Sequence, residues 1–140
     1  MKGDIKFMKK KFSDRGLLIV SRANINEAKR NILEIDEVYV NFAMFNTSQA
    51  IEKTMKYLCS CNGIDYDYSH FLVSIADKLI EKKVEIPQLV LDTLPEYGMW
   101  ATRARYNANQ LAQRSYVDKH IKCVDEWLTS IEKQILLYVE

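Results

Sequence analysis

The sequence predicts an all-α fold, an antiparallel up-and-down bundle of four to five main helices. Three observations carry that expectation. The 140 residues include only four Gly and two Pro, too few for the many tight turns of a β-sandwich. Apolar residues recur at spacings of three and four through most of the chain, the signature of helices with one buried face. Hydrophobic residues make up 48% and charged residues 28%, a composition that fits one globular domain able to bury a core.

Taken in order, residues 1–23 read as a basic N-terminal arm or short helix, with Lys-rich MKGDIKFMKKKF at its start. Residues 24–140 read as the helical bundle domain. Asn24, with Glu27 three residues on, has the form of a helix cap. The helix it opens is expected to reach about Ile35 and to bury Ile25, Ala28, Ile32 and Ile35. A break near Asp36 and Glu37 precedes a long helix from Val38 to Gly63, where Asn62-Gly63 supplies a left-handed stop. Its apolar stripe of Phe42, Ala43, Ala50, Ile51, Met55 and Leu58 makes it central to the core. After a polar loop, Ser69 is placed to cap a helix that points Leu72, Ile75, Ala76 and Leu79 inward and Lys78, Glu81, Lys82 and Lys83 outward. Pro87 suits the first turn of a further helix with Leu89, Val90 and Leu94. Thr93-x-x-Glu96, with Pro95 between, has capping-box form and predicts a restart or kink. A helical stretch to Tyr106 and a polar loop follow. Ser115-x-x-Asp118 then reads as the cap of a last helix, whose seam of Val117, Ile121, Val124, Leu128, Ile131, Ile135 and Tyr138 suits packing along antiparallel neighbours.

The totals exclude several function classes. A net charge of +1 leaves no global field for nucleic acid or a membrane surface, so any basic footprint must be local. Cys59, Cys61 and Cys123 are odd in number, C-x-C is not zinc-ligand spacing, and only two His are present to complete a site. Reduced structural thiols, no metal and no cofactor are therefore expected. The apolar run at residues 17–20 is too short for a signal segment and nothing is long enough to span a bilayer, so a cytoplasmic, soluble protein with no membrane partner is expected. Trp100, Trp127 and the eight Tyr allow for an aromatic interface between subunits.

No phosphate-binding glycine loop, zinc-protease, nucleophile-elbow or kinase motif is present. Three constellations could carry chemistry. Gln49, Glu52, Lys53 and Lys56 share a face of the long helix, where ion pairs are also an ordinary surface feature. His70 opens the next helix, a position at which a structural imidazole is common. Arg103, Arg105 and Tyr106 end a helix just before a loop, where Arg suits the helix dipole and equally suits a phosphate, with Tyr106 available for stacking.

The order of these three constellations resembles the HEPN family. The matching positions are Ala43, Gln49, Ala50, Glu52, Lys53 and Lys56 in the long helix, then His70 and Leu72, then Arg105 and Tyr106, within a similarity spanning about residues 24–138. The resemblance implies a helical bundle, usually a homodimer, often encoded beside a minimal nucleotidyltransferase (MNT) and linked to nucleotide or RNA binding. One branch of that family consists of metal-independent ribonucleases, some toxin-like and belonging to toxin–antitoxin pairs, with four to six residues between an Arg and a His. Here no His follows Arg105, but Arg114 and His120 have the spacing and Ser115 is the expected small polar residue.

The expectation is therefore a non-catalytic module that binds nucleotide or RNA, a nucleotidyltransferase partner, or both. Lys53, Lys56, His70, Arg103, Arg105 and Tyr106 would do the binding, while Gln49 and Glu52 form a structural polar network. A basic pocket would form if the Arg105 loop folds back towards Lys53 and Lys56. The alternatives are a ribonuclease using Arg114 and His120, and a purely structural dimerisation domain in which Glu52, Lys53 and Arg105 pair internally.

Overall fold

The computed structural model describes residues 15–66 and 72–139, with side chains to residue 135. Five α-helices are present among the described residues: α1 (Arg15–Asn31), α2 (Val38–Cys61), α3 (Leu72–Glu81), α4 (Gln88–Thr102) and α5 (Arg114–Val139). A short 3₁₀ turn, Ala104–Tyr106, lies between α4 and α5. No strand is found among the described residues, so the all-α bundle expected from the sequence is the observed fold.

Helix α2 packs against every other helix and against the 3₁₀ turn. Its buried residues explain why: Val40, Ala43, Met44, Ala50, Ile51, Met55, Tyr57 and Cys59 point around most of its circumference, so it has several apolar faces to cover. Helix α1 lies antiparallel to it. Ser21 of α1 donates to the carbonyl of Ala50 at 2.7 Å, beside Thr54, while Asn31 accepts from Asn46 at 3.0 Å. The small side chains Ser21, Ala28 and Ala50 let the two backbones approach, and the buried hydroxyls of Ser21 and Thr54 find partners there. Helix α5 runs antiparallel to α1. Arg22 bonds Asp125 and Glu132, and Lys29 reaches the other oxygen of Asp125 at 2.7 Å.

The stops are chemically explicit. Helix α2 ends with Gly63 at φ +65°, where Ile64 N–H bonds Cys59 O at 2.9 Å and Gly63 N–H bonds Ser60 O, the paired hydrogen bonds of a Schellman stop. Helix α3 ends the same way through Lys83, at φ +61°, with Val84 N–H on Leu79 O at 3.0 Å. At the start of α2, Asp36 Oδ1 accepts from Val38 N–H at 3.1 Å, which accounts for the break expected there.

Several expectations are corrected. Helix α1 begins at Arg15, so Asn24 is an interior residue that bonds Asn46 rather than a cap. The same helix ends at Asn31, which leaves Ile35 in the connection at 96% exposure instead of in the core. The chain does not restart at Thr93: α4 runs unbroken through Pro95, and Thr93 Oγ1 donates back to Leu89 O at 2.7 Å. Packing of Val90, Leu94, Tyr97 and Trp100 on one face outweighs the hydrogen bond that Pro95 cannot make. Ser115 is not the cap of the last helix, which already begins at Arg114, with Tyr116 and Val117 N–H bonded to Gln113 O. Trp100 and Trp127 are both buried inside the chain, so neither supplies an exposed interface. The seam of α5 is buried from Val117 to Ile131, with Ile135 packed against it; the side chain of Tyr138 lies outside the described residues, as do Ser69 and His70.

Candidate functional site

Along α2, Phe45, Gln49, Glu52, Lys53 and Lys56 recur at spacings of three and four and so share one face. Lys53 Nζ donates to Gln49 Oε1 at 3.1 Å, and Lys56 Nζ stands 3.8 Å from Glu52 Oε1 and 5.7 Å from the centre of the Tyr66 ring. Burial against the bundle pushes Lys53 below the usual lysine range, with Lys56 adding to the shift and Glu52 opposing it. Partial desolvation of an ammonium is unfavourable unless an anion compensates.

The Arg105 side chain folds back onto this same face. Its guanidinium carbon is 4.6 Å from the centre of the Phe45 ring and 4.9 Å from that of Tyr106, so the cation lies over two aromatic rings. Arg105 forms no ion pair with a carboxylate among the described residues. Tyr106 is 75% exposed and Arg103 is exposed beside it. Phe45 and Lys53 are eight residues apart, about 12 Å along the axis at 1.5 Å per residue. The basic groups thus form an elongated strip rather than a compact pocket.

Asn41 holds this end of the molecule. Fully buried on α2, it donates to Asn107 O at 3.1 Å and Asn109 O at 2.8 Å, and accepts from Leu111 N–H at 3.0 Å. All three bonds go to the loop after the 3₁₀ turn, so the loop is pinned to α2 and the Arg105–Tyr106 pair is set at its edge.

Beside the strip a groove of about 470 Å³ separates α2 from α3 and α4. Ser48, Gln49 and Glu52 line it from α2, Leu72 and Val73 from α3, and Leu94, Tyr97, Gly98 and Thr102 from α4. A Cβ added at Gly98 would meet nothing within 4 Å. The groove's Ser48 and Thr102 hydroxyls are turned to main-chain carbonyls, Phe45 O at 2.7 Å and Gly98 O at 2.9 Å.

The structure places Arg114 and His120 in different environments. Arg114 donates from Nη1 to Ile32 O and from Nη2 to Ile35 O, strapping the connection between α1 and α2 to the start of α5. His120 is fully buried; its Nδ1 stands 2.7 Å from Tyr97 Oη, and Trp100 and Tyr116 present ring edges to it with centroids at 5.2 and 4.7 Å. Burial lowers its pKa, Lys119 lowers it further and Glu96 opposes both. Its Nε2 and the neighbouring Trp100 Nε1 lack hydrogen-bond partners. The described cysteines form no disulfide with one another; burial pushes Cys59 up to about 11 and Cys123 in the same direction, so neither is activated. Among the described residues no group of three or more His, Cys, Asp or Glu is arranged to hold a metal, and no helix is long and apolar enough to cross a membrane.

Sequence reasoning pointed to Gln49, Glu52, Lys53, Lys56, Arg105 and Tyr106, and the fold brings these to one side of α2. It missed Phe45, Asn41 and Gly98. Phe45 stands four residues before Gln49 and was legible as part of the same helical face. Nothing in the sequence ties Asn41 to a loop more than sixty residues away.

Among curated proteins and solved structures, none matches the chain significantly. The family model of the HEPN domain matches residues 19–134, and with that span, most of the helical bundle included, the chain belongs to the HEPN domain family.

Proposed function

We propose that this HEPN module binds the phosphate of a nucleotide or RNA without cleaving it, through Arg103, Arg105 and Tyr106 with Lys53 and Lys56 further along α2. The observation that carries this reading is the Arg105 guanidinium, which lies over the Phe45 and Tyr106 rings with no carboxylate partner among the described residues. Stacking fixes the plane of the guanidinium while leaving its N–H donors for a bidentate anion. Tyr106 offers an exposed ring on which a base can stack, worth about 1–3 kcal/mol per base in single-strand binders. Lys53, kept partly desolvated, gains a counter-charge when a phosphate arrives.

Gln49 and Glu52 act as positioning groups, Gln49 through its bond to Lys53 and Glu52 through its contact with Lys56. The module works as a homodimer, and an MNT-type nucleotidyltransferase is the protein partner the family membership suggests. Titration calorimetry with ribonucleotides and a short RNA tests the reading. Arg105→Glu places a carboxylate where the phosphate belongs and abolishes binding; an affinity equal to that of the wild type would sink the proposal.

A further inference from the structure

We infer that the groove between α2, α3 and α4 is a nucleobase subsite, so that a bound nucleotide lies with its base in the groove and its phosphates on Arg103 and Arg105. The inference rests on the phosphate-binding reading above and assigns the other half of the ligand.

The groove's volume, about 470 Å³, falls in the range of small-molecule sites, and its mixture of apolar walls with few polar groups is typical of them. Leu72, Leu94 and the bare backbone at Gly98 make walls suited to a flat, apolar-faced ring. The polar contribution is sparse. Ser48 and Thr102 have their hydroxyl protons committed to main-chain carbonyls, so the donor left on the α2 wall is the amide of Gln49. Because Gln49 Oε1 accepts from Lys53, the amide orientation is set and its N–H₂ is left for a ring nitrogen or carbonyl of a base.

Charge decides the orientation. Glu52 lines the groove, and a carboxylate there opposes entry of a phosphate. Neither Lys53 nor Lys56 lines the groove, and the two arginines stand at its other end: Thr102, which lines the groove, is followed directly by Arg103, and Ser48 is one turn from Phe45, on which Arg105 stacks. A base in the groove therefore directs the sugar and phosphates towards the guanidinium groups. The electrostatic complement of the site, acidic inside and basic at the mouth, is that of a nucleotide rather than of a fatty chain or an acidic peptide.

The test uses the full chain, in EDTA, titrated with the four ribonucleoside triphosphates and with inorganic tripolyphosphate, which carries the same charge but no base. Gly98→Leu projects an apolar side chain into the groove, and its Cβ would meet nothing within 4 Å. This variant is expected to keep its circular dichroism and its tripolyphosphate affinity while losing at least tenfold in affinity for the best-bound triphosphate. Arg105→Glu loses both probes. The subsite is overturned if Gly98→Leu binds the triphosphates as the wild type does, if it loses both probes equally, or if the wild type binds tripolyphosphate as tightly as any triphosphate. In the first and third of these outcomes a loss in Arg105→Glu still upholds the phosphate platform, which separates the two readings. Binding of neither probe nor RNA by the wild type sinks both.

Discussion

His120 Nδ1 shares a 2.7 Å hydrogen bond with Tyr97 Oη, and the ring is shut off from solvent beside Trp100 and Tyr116. A buried neutral imidazole resists protonation, so its pKa lies below the ordinary value of 6.5, mainly through desolvation. The sign of the pH effect follows. The unfolded chain takes up a proton near 6.5, the folded chain only at lower pH, so folding stability falls as pH drops below 6.5 and levels off beneath the folded pKa. The slope is at most about 1.4 kcal/mol per pH unit for one group. His120→Asn keeps a hydrogen-bonding group for Tyr97 but does not titrate. Chemical denaturation at pH 7.0, 6.0 and 5.0 is expected to show a steeper loss in the wild type than in this variant, whose lower absolute stability is expected from lost packing. Equal slopes would mean that His120 is already protonated or accessible. Asp125 acts in the same sense, but in the acid range. Burial raises its pKa, but hydrogen bonds from Lys29 and Arg22 outweigh that and hold it low, so its contribution disappears only below the ordinary carboxylate range.

The helices differ in how well their ends are chemically matched. Helix α2 stops at Gly63, which adopts φ +65° without steric cost, whereas α3 makes the same stop with Lys83 at φ +61°. A side chain in that conformation costs about 1–2 kcal/mol. Lys83→Gly is therefore expected to stabilise the protein by about 1 kcal/mol, part of the relief being offset by the freer unfolded chain; thermal or urea unfolding checks it, and a loss of stability would contradict the strain. The same contrast explains what the sequence made legible. Asn62-Gly63 announced its stop because Gly is the usual residue at that conformation, and the seams of α2 and α5 were legible because apolar spacing directly reports burial. The caps misled. Asn24, Thr93 and Ser115 each have the local form of a helix start, yet each lies inside a helix, since Ile25, Val90 with Leu94, and Val117 have buried faces that extend the helix past the local signal. Tertiary packing is not written into a four-residue motif. For the site the limit is similar. The α2 strip and the Arg105–Tyr106 pair were visible as local sets, but the Phe45 stack and the Asn41 clamp join residues sixty or more positions apart, and only the folded chain brings them together.

At the scale of the molecule, α2 divides two kinds of surface. One side is closed by α1 and α5, tied across by Arg22 and Lys29 to Asp125 and Glu132; the other carries the groove, the lysines and the Arg105 stack. Arg114 and His120 belong to the framework in this arrangement. The guanidinium secures the carbonyls of Ile32 and Ile35, and the imidazole fills the space between α4 and α5. General acid–base catalysis on a ribose hydroxyl needs an imidazole within about 2.6–3.2 Å of the proton it moves, and a fully buried ring bonded to Tyr97 does not present itself to RNA. Incubation of a labelled RNA with the purified protein in EDTA is accordingly expected to leave the RNA bound and intact, with His120→Ala no different in this respect. The decisive comparison is His120→Ala against Arg105→Glu. Cleavage by the wild type that disappears in folded His120→Ala and Arg114→Ala, but persists in Arg105→Glu, would require His120 to leave its aromatic surroundings and would replace the binding reading with a nuclease one. Intact RNA, with binding lost only in Arg105→Glu, places the function on the open side of α2.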